Sequence, residues 1–182
     1  MSSISKAYDL YSKHIFDEDK IELLKAYRLK VAGSVPSVMW ELFGAMLTGR
    51  TANGTTGADL NGWEVKSAKQ GGSFEYQYHL NTGEQKLNED CEVNHLFCTY
   101  SENYQDVTVR VLKGSDLSEP FFNKWKPLYF ANYDKSAPDG KRRQRFRKNI
   151  PYRYVENNGT LVLEIKEGKL LFRDDNVIDR FN

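Results

Sequence analysis

The chain has 182 residues, with 26 basic and 25 acidic side chains for a net charge of +1. Its hydrophobic fraction of 40% and aromatic fraction of 13% argue against disorder, and its length predicts one domain with a sizeable core. Near-neutrality argues against a protein that simply coats nucleic acid, and no apolar run approaches the ~20 residues that span a bilayer.

Residues 1–6, MSSISK, lack an apolar segment, so no signal peptide is expected. Residues 3 to 31 read as one or two helices. Ile4, Tyr8 and Tyr11 share a face, and Asp17 is placed to cap a second helix with Ile21, Leu24 and Val31 inside. Val35, Val38, Met39, Leu42 and Met46 recur at helical spacing, which predicts an amphipathic helix from Val35 to about Leu47. Ser34 is its expected N-cap and Gly49 its stop. Glu41 falls at the edge of the apolar stripe.

Residues 48–56, rich in Gly, Thr and Asn, predict a loop, and then comes G-A-D-L-N-G-W-E-V-K-S-A-K from Gly57 to Lys69. Asn61-Gly62 is the favoured pair for a two-residue hairpin loop, in which both residues take positive φ. With Leu60 and Trp63 flanking it, Asp59 stands opposite Glu64. Opposed residues have Cβ atoms about 5 Å apart on one face. Two carboxylates that close repel unless a positive charge sits between them, and a divalent metal ion is the natural occupant. The strand period of two puts Lys66 on the same face as Glu64, with Trp63 and Val65 turned into the core.

Gly71-Gly72 breaks this strand. Phe74, Tyr76 and Tyr78 then alternate with Glu75, Gln77 and His79 in a strand pattern. Thr82 to Asp90 is a polar short helix or loop. Val93 to Tyr100 and Val107 to Leu112 read as strands, the first buried on both faces through Leu96-Phe97-Cys98. Thr160 to Ile165 and Lys169 to Phe172 predict a hairpin turned at Glu167-Gly168. The sum is α+β: N-terminal helices on a mixed β-sheet, with the Asp59–Glu64 hairpin in its middle. The expected divisions of one domain are N-terminal helices over 1–48, a core over 49–112, and a basic segment with the C-terminal hairpin over 113–182.

Cys91 and Cys98 are too few for a disulfide framework, so a reducing cytoplasm is the expected location. Cys91-x3-His95-x2-Cys98 lacks a fourth zinc ligand nearby. His79 is the histidine best placed for a supporting role, against the blander reading of a structural histidine; His14 and His95 have no supporting context. Lys141 to Arg153 carries seven basic residues and no acidic one, an electrostatic footprint for phosphates or else a solvated charge run.

Asp59-x4-Glu64-x-Lys66 resembles the PD-(D/E)XK nuclease superfamily, which includes many restriction endonucleases. The family's usual Pro before the aspartate is replaced by Gly57 and Ala58. The order of a glutamate-bearing helix, a Gly-rich loop and this hairpin also looks like the mismatch-repair nicking branch. The resemblance implies a restriction-endonuclease-like core, a mixed sheet flanked by helices. It implies Mg²⁺, with Mn²⁺ able to substitute, held by Asp59, Glu64, the Val65 carbonyl and Glu41; the bland reading of Glu41 is a solvated helix-edge glutamate. Lys66 has three candidate roles, as orienter of the attacking water, stabiliser of phosphorane charge, or general base, and the first two are favoured over the third. Lys69 and Gln70 are candidate phosphate contacts, and Lys141, Arg142, Arg143, Arg145, Arg147 and Lys148 candidate DNA contacts.

The expected function is a Mg²⁺-dependent endonuclease acting on double-stranded DNA, of type II restriction type and homodimeric, since two-fold symmetry suits a symmetric target. The alternatives are a structure-selective or nicking nuclease of resolvase or mismatch-repair type, and a non-catalytic DNA-binding module.

Overall fold

A computed structural model describes residues 3–52, 57–133, 136, 138 and 145–182. The chain is α+β, with a mixed sheet flanked by helices. Helix α1 (Ser3–Leu10) runs on through a π turn (Tyr11–Ile15) to α2 (Glu18–Ala26), which Asp17 caps by accepting from the Lys20 N–H at 3.0 Å. Val31 is buried beyond the helix end, where its carbonyl accepts from the Ser34 N–H at 3.0 Å.

Helix α3 spans Ser37–Thr48 and stops at Gly49, whose φ of +72° is a left-handed cap. Two expectations for it fail. Its N-cap position is Pro36, not Ser34, whose hydroxyl is buried without a hydrogen-bond partner among the described residues. The buried face is Trp40, Phe43, Gly44 and Leu47, while Val38 and Leu42 are exposed. The large aromatics Trp40 and Phe43 win the core, and the stripe rotates with them. Trp40 stacks on Tyr100 with ring centroids 5.3 Å apart.

Strands β1 (Trp63–Lys69), β3 (Asn94–Tyr100), β4 (Val107–Lys113), β6 (Thr160–Lys166) and β7 (Lys169–Arg173) form one sheet in the order β1-β3-β4-β6-β7. β1 pairs with β3 in parallel and the other pairs are antiparallel. β2 (Ser73–His79) leaves this sheet after the turn at Gly71-Gly72. It pairs antiparallel with β5 (Arg145–Pro151) in a separate two-stranded ribbon. The expected place of the Asp59–Glu64 hairpin is therefore corrected. β1 is the first strand of its sheet, and among the described residues Leu60 adds only isolated bridges beyond it, to Ala52 and Trp63.

The larger sheet separates two apolar cores. Trp63, Val65, Leu96 and Cys98 pack with α1 and α3 on one side. Ala68 and Phe97 pack on the other side with Tyr76 and Tyr78 of β2, Leu87 of α4 (Gly83–Asp90), and Phe146 of β5. β3 is buried on both faces, as its apolar run predicts. The second core also takes Leu117, Phe122, Trp125 and Tyr129 from a helical stretch absent from the sequence reading. It comprises α5 (Gly114–Leu117), a π turn (Ser118–Phe122) and α6 (Asn123–Asn132). Short α7 (Tyr152–Asn158) and α8 (Asp175–Phe181) complete the order. Among the described residues no helix is long and apolar enough to cross a membrane.

Candidate functional site

The Asn61-Gly62 turn forms. Leu60 and Trp63 exchange both backbone hydrogen bonds, at 2.9 and 3.0 Å. Only Gly62 takes positive φ, at +79°, so the turn has the pattern of a type II turn and not of the expected type I′. One pair further out, Asp59 and Glu64 bind each other's strands. The Val65 N–H donates to Asp59 Oδ2 at 2.9 Å, and the Asp59 N–H donates to Glu64 Oε2 at 3.3 Å. Lys66 follows on the Glu64 face, with Nζ 2.5 Å from Glu64 Oε1 and 4.9 Å from the centroid of the Tyr76 ring. The predicted trio is thus together.

Helix α3 brings Glu41 towards it. Gly44, one turn on, lies against Val65 and Leu96; a Cβ there would stand 2.7 Å from Val65 Cγ2. This close approach carries the half-buried Glu41 near enough that its negative charge is felt at Asp59. Val65 points into the α1–α3 core, leaving only its backbone at the site.

A second layer was absent from the sequence reading. Lys86 of α4 places its ammonium 2.6 Å from Glu64 Oε2 and 2.6 Å from Asp90 Oδ1. Asp90 is wholly buried and accepts from the Tyr78 hydroxyl at 2.8 Å. The Tyr76 hydroxyl lies 2.8 Å from His95 Nδ1, and His95 Nε2 lies 2.8 Å from the Asp90 carbonyl. A carbonyl only accepts, so Nε2 carries the proton and Tyr76 donates to Nδ1. Both ring nitrogens are used, and neither is open to zinc. His95, which looked without context in the sequence, is central, because β3 places it beside Glu64 in the parallel ladder. The i,i+4 pair of Lys86 and Asp90 in a polar helix was the available signal for this layer.

The electrostatics follow from burial and charge balance. Burial opposes the Glu64 charge, but Lys66 and Lys86 outweigh it and bring this carboxyl down to about 2. Burial also works against the Lys66 and Lys86 ammoniums, and their carboxylates reverse it, so both stay charged. Asp59 makes no ion pair among the described residues; burial and then the Glu64 charge push it up to about 6. Burial raises Asp90 as well, against its single ammonium. Burial holds His95 down at about 4, hence neutral. Three carboxylates face two ammoniums, with Glu41 adding to the negative side.

Among the described residues no three His, Cys, Asp or Glu side chains are gathered as a metal cage. The reason is visible at Glu64, where ammoniums hold both oxygens. The chemistry of the donors nevertheless fits a hard divalent cation. Asp59 is a carboxylate that makes no direct ion pair among the described residues, in a site of negative balance, and oxygen ligands of this kind suit Mg²⁺.

The remaining candidates divide. Lys69 ion-pairs with Glu102, and the Gln70 N–H donates to the Tyr100 carbonyl at 2.8 Å. Lys69 ends β1, about 16 Å along the strand from Glu64 at ~3.3 Å per residue, and Gln70 follows it in the turn. Arg145, Arg147 and Lys148 lie on β5, a strand where the sequence showed only a charge run. Arg145 faces His79 and Arg147 faces Gln77 on the exposed side of the ribbon, with Arg147 3.7 Å from Glu75. Lys148 is opposite Tyr76 on the other side, 5.4 Å from the centroid of the Phe146 ring. Lys141, Arg142 and Arg143 lie outside the described residues. His79 is exposed, with its Nε2 3.3 Å from Gln77 Nε2.

No family model matches the chain, and no curated protein matches it significantly.

Proposed function

We propose that the chain is a Mg²⁺-dependent endonuclease that hydrolyses DNA phosphodiester bonds, of restriction type and working as a homodimer. One observation carries this reading: Asp59 accepts from the Val65 N–H and Glu64 accepts from the Asp59 N–H, with Lys66 on Glu64, in a buried site of excess negative charge. Asp59 and Glu64 would hold the cation, with the Val65 carbonyl and Glu41 as further oxygen donors. Bound there, Mg²⁺ neutralises phosphate charge and acidifies a water molecule.

The chain's own groups supply the rest. Lys66 is 20% exposed, open enough for its ammonium to meet a phosphate while Glu64 fixes its direction. That arrangement favours charge stabilisation and water positioning over a base role, because the neighbouring carboxylates hold the proton on Lys66. The β2–β5 ribbon presents Arg145, Arg147, Gln77 and His79 on one exposed side. A two-stranded ribbon fits the major groove, and arginines suit phosphate and guanine contacts. Lys69 and Gln70, at their distance along β1, are candidates for a phosphate away from the cleaved one.

The test is incubation of the purified protein with plasmid and phage DNA, with and without Mg²⁺. Discrete bands that vanish in Asp59→Ala, with DNA binding retained, support a site-specific cutter. A nicked circle, or cleavage only of branched or mismatched DNA, supports the nicking or structure-selective alternative. Binding without cleavage under any of these conditions overturns the enzyme reading in favour of a DNA-binding module.

A further inference from the structure

Lys86 occupies a position that a bound cation would contest. Its ammonium sits on Glu64 Oε2, the carboxylate that the proposed nuclease reading assigns to the metal, and is tethered by Asp90. An ammonium and a divalent ion on one carboxylate oxygen repel strongly in a buried site. The side chain is 17% exposed, and its open side is a cavity of about 270 Å³ bordered by Gly57, Gln77, His79 and Glu89. Glu89 stands three residues further along α4, within reach of a lysine at i,i+3. Among the described residues its Oε2 is buried without a hydrogen-bond partner, an unsatisfied acceptor on a residue that lines the same cavity. Gly57 makes the room, since a Cβ there would stand 2.8 Å from that oxygen.

We propose that Lys86 is a positioning residue with two seats, an internal counter-cation that holds Glu64 while the site lacks a metal and moves to Glu89 when a divalent cation binds. Asp90 is the pivot, in contact with the ammonium at both seats. The lysine keeps the carboxylates from repelling each other in the empty site, and its departure frees Glu64 Oε2 for the cation. Glu89 receives the ammonium, so the displaced charge is never left unpaired. The inference rests on the nuclease reading of Asp59 and Glu64.

The test is calorimetric titration of the intact protein with Mn²⁺ alone, without DNA. Lys86→Met is expected to bind Mn²⁺ at least about tenfold more tightly than the wild type, because a competing positive charge at contact distance is gone. Glu89→Gln is expected to bind several-fold more weakly, and that loss is expected to disappear in the Lys86→Met background. Should Lys86→Met fail to fold, Lys86→Met/Asp90→Asn removes the buried pair together and carries the same expectation. A merely structural Lys86 would give unchanged or weaker Mn²⁺ binding, and a Glu89 effect that persists without Lys86; either result overturns the proposal. Asp59→Asn separates the two readings. Mn²⁺ binding that Asp59→Asn abolishes, but that Lys86→Met leaves unchanged, removes the two-seat lysine alone. Binding that is absent throughout, or indifferent to Asp59, removes the nuclease reading and this inference with it.

Discussion

Gly44 of α3 and Val65 of β1 touch so closely that any side chain at position 44 would collide with Val65 Cγ2 at 2.7 Å. This contact sets the height of α3 over the sheet and with it the distance from Glu41 to Asp59. Val65 is β-branched and cannot swing aside. Gly44→Ala is therefore expected to lower stability by about 1–3 kcal/mol from overpacking, less the helix propensity it gains, and to weaken Mn²⁺ binding by moving Glu41. Val65→Ala in the same chain is expected to restore most of the stability, measured by urea denaturation.

Asp59 should make the fold pH-dependent. Its folded pKa of about 6 exceeds its ordinary 3.8, so its contribution favours folding below pH 3.8 and is lost as pH rises through 6. Above that pH a charged carboxylate is carried, buried and beside the Glu64 charge, at a cost. Asp59→Asn, which keeps an acceptor for the Val65 N–H, is expected to be about 1–3 kcal/mol more stable than the wild type near pH 7.5. The advantage should fade towards pH 4.5. Denaturation midpoints across this range check it, and an advantage independent of pH would contradict it.

His95 has the opposite sign. Its folded pKa of about 4 lies below the ordinary 6.5, so its contribution is complete above pH 6.5 and is lost as pH falls through 4. An NMR titration of its imidazole is expected to show the neutral Nε2–H tautomer down to about pH 4. Tyr76→Phe leaves Nδ1 without a donor and should cost about 1–3 kcal/mol. A His95 midpoint near 6.5 would mean that the Tyr76–His95–Asp90 chain is not formed.

The exposed ribbon makes a prediction about salt. Arg145→Ala and Arg147→Ala are each expected to weaken duplex binding and to reduce the slope of log K against log salt by about 1 if the residue contacts a phosphate. Lys148→Ala, on the inner side beside Phe146, should change the slope less. Filter binding in Ca²⁺ at several salt concentrations distinguishes them, and an unchanged slope for both arginines would remove the ribbon from the interface.

The Glu167-Gly168 hairpin offers a gain. Both residues have positive φ, +49° and +75°, and Glu167 pays the left-handed penalty with a Cβ. Glu167→Asn is expected to stabilise the protein by about 0.5–1 kcal/mol, read as a higher melting temperature.

Local chemistry was legible in the sequence. The Asn61-Gly62 turn, the Asp17 cap, the Gly49 stop, the doubly buried β3 and the β6–β7 hairpin each depend on a few adjacent residues whose preferences agree. The same holds for Asp59, Glu64 and Lys66, because a tight turn fixes register over six or seven residues. What periodicity could not decide was which of two apolar stripes α3 buries, since Val38 and Leu42 fit a helical repeat as well as Trp40, Phe43 and Leu47 do. The choice depends on the Gly44–Val65 approach, a contact between residues 21 apart. β5 is not legible in the sequence, because its outward arginines mask a strand whose partner lies more than 60 residues away. Lys86, Asp90 and His95 met Glu64 only when α4 crossed back to lay β3 parallel to β1. A sequence specifies its short-range geometry directly, while the charge balance of a buried site is set by whichever distant ammonium the fold delivers to it.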